Sequence, residues 1–237
     1  MKVARKVILL FKDGSSGGGE SFADALQPNP NSKIQRLEDS FELSLEKYGI
    51  KDQKASGNVF QFVNADGVVE VSIFLLDNYA TPLLACALNE VFAAILGEDP
   101  SNIPTLVVPF LVEASKLKFE NKNSKITDTS LYGWRFGPVN DSTQAIVSKI
   151  QTPPEMQINH EQLACMLHLV RLLDVPTFVL VGKFSLRSPS NESLQVINEI
   201  GDYVAKFSSL SFIKERVKWS PPKSSKIDEE PWRALYG

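Results

Sequence analysis

The sequence predicts an α/β domain in which a largely parallel sheet is covered by helices on both faces, followed by a flexible C-terminal tail. Three observations carry this expectation. Strand-like and helix-like segments alternate through most of the 237 residues. The runs Val107–Val112 and Thr177–Val181 are almost continuously apolar, as central strands buried on both sides must be. From Trp219 onward the composition turns to proline, serine and mixed charge, in a stretch with too little apolar surface to offset the entropy of ordering it. The expected organisation is a domain over 1–218 and a tail over 219–237.

The elements follow in chain order. Residues 3–11 are short, apolar and β-branched, and read as a buried strand. A glycine- and serine-rich loop, Asp13 to Glu20, comes next, and Pro28-Asn29-Pro30-Asn31 is a second breaker cluster. Ile34, Leu37, Phe41 and Leu45 recur at helical spacing, with Gly49 as the expected C-terminal cap. Two strands, 58–63 and 68–76, flank Asp66-Gly67, a strong hairpin signal. Thr81 and Pro82 read as N-cap and first-turn proline of a helix that carries Leu84, Leu88, Val91, Phe92 and Ile95 and ends at Gly97. Thr105–Val112 reads as a strand, although Pro109 argues for an irregular or terminal position. Residues 113–158 read as a long loop with a helix near 143–150. Asn159 is placed to cap a helix to about Asp174, with Gln162 completing a capping box. A buried strand over 176–181, a helix opened by Ser188-Pro189 and a strand or helical turn near 210–217 complete the body.

With 43% hydrophobic and 22% charged residues the chain has a globular composition, so a packed domain is expected in place of disorder. Its net charge of −3 predicts no attraction to nucleic acid or to an anionic membrane, both of which need a basic surface. No stretch approaches a membrane span. The apolar run Val7–Phe11 is too short for a signal peptide, and no small-residue cleavage pattern follows it. The expected compartment is the cytoplasm, with the nucleus open as well. Cys86 and Cys165 sit in apolar helical segments and read as buried thiols, neither a disulfide framework nor a zinc site.

Catalytic patterns are weak. The Gly14–Ser21 loop has P-loop spacing except that Glu20 stands where lysine would reach the phosphates, and a carboxylate there would repel them; the next segment is also interrupted by prolines in place of opening at once into a helix. The two histidines, His160 and His168, lack the four-residue spacing of a helical metal pair. Cys165 and His168 are three residues apart on one helix, which lets them touch but holds a thiol poorly for attack. No G-x-S-x-G nucleophile elbow is present. No enzyme activity, cofactor or metal is expected. An α/β enzyme with its site at the strand ends near Asp77–Thr81 and Gly182–Ser185 is the alternative.

The C-terminus is more informative. Leu235-Tyr236-Gly237 offers an apolar side chain, a rigid ring with a hydroxyl, and a carboxylate that a lysine or backbone donors can hold. A mobile tether would let this peptide search for its pocket while the body docks elsewhere. Trp232 is either a further aromatic anchor or a group that packs back on its own domain. A scaffold protein whose tail enters some other carboxylate-recognising pocket is a further reading.

This ending resembles the hydrophobic-tyrosine-any residue motif by which proteasome activators and some assembly chaperones insert their tails between α subunits of the 20S core particle. The body is similar to the proteasome assembly chaperone 1 family in two stretches. Glu161 to Phe212, with its strand VPTFVLVGKF and the segment LSFIKE, looks like the C-terminal half, and residues 73–119, with TLVVPFLVEASKLK, look like the middle. The glycine-rich loop departs from the family's animal members. The resemblance implies a non-catalytic chaperone that pairs with a proteasome assembly chaperone 2-like protein. It further implies docking on the 20S proteasome α subunits through Leu235, Tyr236 and Gly237.

Overall fold

In the computed structural model, residues 2–12, 18–97, 103–119, 130–138, 150, 152, 156–185 and 190–219 are described. Strand β1 (Lys6–Phe11) lies at the centre of a seven-stranded sheet. Alternate side chains point to opposite faces, so Val7, Leu9 and Phe11 enter one core and Ile8 and Leu10 the other. Both faces are covered, which is why the strand is apolar throughout.

The remaining elements are α1 (Gly19–Ala25), β2 (Leu26–Gln27), β3 (Gln35–Ser44), β4 (Lys54–Val63) and β5 (Val69–Leu76). They are followed by α2 (Leu83–Leu96), β6 (Thr105–Glu113), β7 (Leu117–Phe119), β8 (Leu131–Phe136) and β9 (Met156–Ile158). Last come α3 (Glu161–Leu172), β10 (Thr177–Phe184), α4 (Ser190–Ser208) and β11 (Ser211–Phe212). The large sheet has the order β3-β4-β5-β1-β6-β10-β8. Its four central strands, β5, β1, β6 and β10, run parallel, while β3, β4 and β8 are antiparallel additions at the two edges. Helices α2 and α3 cover one face and α1 and α4 the other. The expected architecture is therefore present.

The largest departure lies at 34–45, where the expected helix is strand β3. Phe41 and Leu43 alternate onto the α2 side, and β3 pairs with β4 from Gln35↔Val63 to Ser44↔Lys54. A spacing of four residues fits a strand as well as a helix, and ten paired backbone positions decide the matter. Gly57 lets β4 fit between its two neighbours, since a Cβ there would lie 2.2 Å from the Leu75 carbonyl oxygen of β5 and 2.8 Å from the Phe41 ring of β3. Gly49 ends a single 3-10 turn, Glu46–Tyr48, at φ 78°. The 64–68 hairpin forms as expected, with Asn64 Oδ1 accepting from the Asp66 and Val68 amides at 3.0 Å each.

Two caps shift by one residue. Helix α2 begins at Leu83, with Pro82 at its cap position and no side-chain cap, and the Thr81 hydroxyl instead donates to Glu161 Oε2 at 2.9 Å. Helix α3 is capped by His160, whose Nδ1 accepts from the Leu163 amide at 3.3 Å. Asn159 instead donates its amide to the Lys116 carbonyl. Gln162 therefore falls one position short of a capping box and bonds Asn78 Oδ1 at 3.1 Å.

Within 113–158 the chain returns β8 to the sheet, pairs β7 with β9, and so is more regular than its composition indicates. The expected helix at 143–150 lies outside the described residues save Ile150, as do Ser188 and Pro189. Residues 210–217 contain both β11 and a 3-10 turn. Trp219 packs edge-on against Phe184, ring centroids 5.6 Å apart, on the α4 side of the sheet. Residues 220–237, the rest of the expected tail, lie outside the described residues.

Candidate functional site

The sheet opens at one seam. Strands β1 and β6 pair at Lys6↔Thr105, Val7↔Leu106 and Ile8↔Val107, and there the pairing stops although both strands run on. The cause lies in one residue. The Thr105 amide donates to the Arg5 carbonyl at 2.8 Å, so the two-residue alternation turns residues 107 and 109 toward β1 as well. Residue 109 is proline and has no N–H to give. On its other side Pro109 is paired opposite Leu180 of β10, which lets it sit inside an otherwise central strand.

Beyond Val107 the gap is bridged on the α2/α3 face by Phe11 and Phe110, ring centroids 5.2 Å apart, with His160 edge-on to Phe110 at 5.9 Å. On the α1/α4 face a cavity of about 60 Å³ remains, walled by Leu10, Phe22, Pro109, Leu111, Ile197 and Ile200. Gly18 and Gly19 form its rim. A Cβ at Gly19 would stand 2.1 Å from the Phe11 carbonyl oxygen, so glycine is what lets α1 start directly against the end of β1. Among the described residues, Gln162 is the polar side chain on the cavity wall.

Gln162 also lines a second hollow, an open polar cleft of about 400 Å³ bounded by Asn78, Tyr79, Lys116, Asn159, His160 and Glu161. Burial pushes the His160 pKa down to about 4, and the charge of Lys116 acts in the same direction. The imidazole is thus neutral at pH 7. Glu161 is held by Thr81. The neighbouring Asp77 pairs with Lys12 at 3.1 Å and accepts from Ser56 Oγ at 2.7 Å, which ties that loop to β4.

The sequence-derived candidates fall as follows. Leu235, Tyr236 and Gly237 lie outside the described residues. Residues 13–17 of the glycine-rich loop do too, while α1 opens at Gly19 directly after it, nearer to a P-loop's order than the following prolines indicate. Cys165 and His168 share α3, but His168 is exposed and burial pushes the half-buried Cys165 thiol up, away from the thiolate a nucleophile needs. Asp77–Thr81 follows β5 and borders the polar cleft, whereas Gly182–Ser185 lies at the end of β10, with β1 and β6 in between, and lines neither hollow. The two segments of the expected enzyme site are not brought together. The cavity itself was missed, though Pro109 within an apolar run is the signal that marks it. Among the described residues no group of three or more His, Cys, Asp or Glu could hold a metal. Among them, too, no helix is long and apolar enough to cross a membrane.

A family model described as Domain of unknown function (DUF7894) matches residues 1–237. No curated protein matches the sequence. Among solved structures, a protein of unknown function from Corynebacterium glutamicum superposes with a TM-score of 0.52 at 8% identity, over 91% of this chain and 79% of its own. An unknown function protein from Mycobacterium tuberculosis gives 0.51 at 9% identity, over 89% and 72%. Pyrococcus furiosus PbaB, an archaeal proteasome activator, gives 0.48 at 10% identity, over 91% and 88%. The first two share this fold. The third is a looser likeness, and the role in its name is its own.

Proposed function

This chain belongs to the DUF7894 family along its whole length, and we propose that it is a non-catalytic assembly chaperone for the 20S proteasome. In this reading its α/β body pairs with a related second chaperone of the assembly chaperone 2 type. Its terminal Leu235-Tyr236-Gly237 then enters a pocket between α subunits, with the Gly237 carboxylate paired to a lysine there.

The supporting observation is the position of the two stretches that resemble the assembly chaperone 1 family. They are separate in sequence, yet residues 73–119 supply β6 and residues 161–212 supply β10, which pair from Leu106↔Thr177 to Glu113↔Phe184. With α2, α3 and α4 they make one continuous block across both faces of the sheet. A binding role also suits a chain whose histidine, thiol and carboxylates at the strand ends are neutral or already engaged. From the Trp219 anchor, the 18 residues to Gly237 reach at most about 60 Å when extended.

The test is co-purification from cells of the tagged intact chain beside versions lacking residues 235–237 or carrying Tyr236→Ala, with bound proteins identified by mass spectrometry. The expected result is recovery of proteasome α subunits by the intact chain and marked loss with either change, at matched salt and with unchanged thermal unfolding. Equal recovery by all three would show that the tail has been misread. Recovery of a related α/β protein without α subunits would leave the pairing and remove the docking.

A further inference from the structure

We propose that the place where β1 and β6 part is a binding site for a short aliphatic carboxylate, with its hydrocarbon chain in the apolar cavity and its carboxylate directed to Lys116. This proposal does not depend on the tail or its docking, so either can fail alone.

Three features define the ligand. First, size: an apolar cavity of roughly 150 Å³ takes one six-carbon ring, so the cavity of about 60 Å³ takes about two to three carbons, the length of a propyl chain. Second, chemistry: the walls are carbon from Leu10, Phe22, Pro109, Leu111, Ile197 and Ile200, so a buried chain gains about fourfold in affinity per methylene. Third, polarity at one end: Gln162 borders both the cavity and the polar cleft, so the cleft is where a ligand's head group comes to lie. There the Lys116 ammonium is exposed and makes no ion pair among the described residues. His160 has its Nδ1 occupied as the helix cap, which leaves the ring proton on Nε2 as a donor. The cleft's acid, Glu161, is turned to the Thr81 hydroxyl. A cation and a neutral donor beside a carbon-lined cavity suit an anion with an alkyl chain. They do not suit a cation, and a wholly apolar molecule would leave them unused.

The experiment is titration of the ¹⁵N-labelled full chain with butanoate, butan-1-ol and acetate, followed by amide shifts, on the wild type and on Lys116→Ala. Butanoate is expected to give saturable shifts at Leu10, Leu111 and Gln162, at least tenfold tighter than acetate, which lacks the chain, and than butanol, which lacks the charge. Lys116→Ala, at an exposed position, should weaken butanoate about tenfold while leaving the unliganded spectrum and thermal midpoint unchanged. Absence of saturable shifts with butanoate overturns the proposal. So does butanol binding as well as butanoate, or a Lys116→Ala protein that binds butanoate like the wild type.

Discussion

Strand β1 has a parallel neighbour on each side, and the two flanks differ. Toward β5 the ladder runs through all six residues, Lys6↔Val71 to Phe11↔Leu76, and continues as the Lys12 amide donates to the Leu76 carbonyl at 2.7 Å. Toward β6 it stops after three pairs. Both flanks have the same apolar side chains and the same helical cover, so hydrophobicity does not separate them. One missing N–H at Pro109 does, and it lies where the chain switches from building the sheet on one side of β1 to building it on the other. Doubly wound sheets open at such reversals, and here a single imino acid sets how far the opening reaches into the sheet.

The strongest way to break this comparison is to put a proline on the closed flank. The Lys12 amide faces β5, and by alternation the Leu10 amide does too. Leu10→Pro should cost about 3 kcal/mol or more and leave no cooperative thermal transition by circular dichroism. A variant that folds normally would mean the two flanks do not differ as described.

A smaller effect comes from the polar side of the open flank. The His160 pKa is about 4 in the fold against 6.5 when unfolded, so between these values the unfolded chain binds a proton that the native one refuses. Stability is then full above pH 6.5 and falls as pH drops toward 4, by about 2–3 kcal/mol in total. His160→Asn keeps a cap acceptor and loses the titration, so urea midpoints at pH 7, 5 and 4 should fall less in the variant. Identical pH slopes in the two proteins would place His160 in water and remove it from beneath Phe110.

The smallest effect sharpens the comparison. Pro109→Ala restores the missing donor but should change stability by less than about 1 kcal/mol, because the added bond is offset by the freedom the proline had removed from the unfolded chain. The new amide at position 109 faces β1 and should become protected from deuterium exchange. Rapid exchange there would mean that the Phe11–Phe110 stack and the covering helices, and not the proline, keep the strands apart.

Legibility in the sequence follows the same divide. Val7–Phe11, Val107–Val112 and Thr177–Val181 are readable as central strands because burial on both faces leaves no room for polar residues. Gly97 and the Asp66-Gly67 hairpin are readable because positive φ favours glycine, and both glycines have it, at 61° and 76°. Residues 35–44 are not, since most of β3 is exposed and its few apolar positions suit either period. Strand β8, LYGWRF, is hidden because it is short, is interrupted by Gly133 and Arg135 and carries no β-branched residue. For the site, Pro109 is visible and Gly19 is visible, but nothing local says that one faces a gap and the other a carbonyl.

What the sequence determined by itself is the architecture. Continuous apolar strands alternating with one-sided helices can bury their surfaces only as a covered parallel sheet, and each such element declares itself within a few residues. What only the tertiary structure decided is where that sheet opens and what meets there. Pro109, Gly19, Lys116 and Gln162 are drawn together from three distant parts of the chain, and the physical quantity that matters is the direction of one backbone N–H. That direction depends on strand order and register, which follow from packing over the whole molecule and leave no local mark.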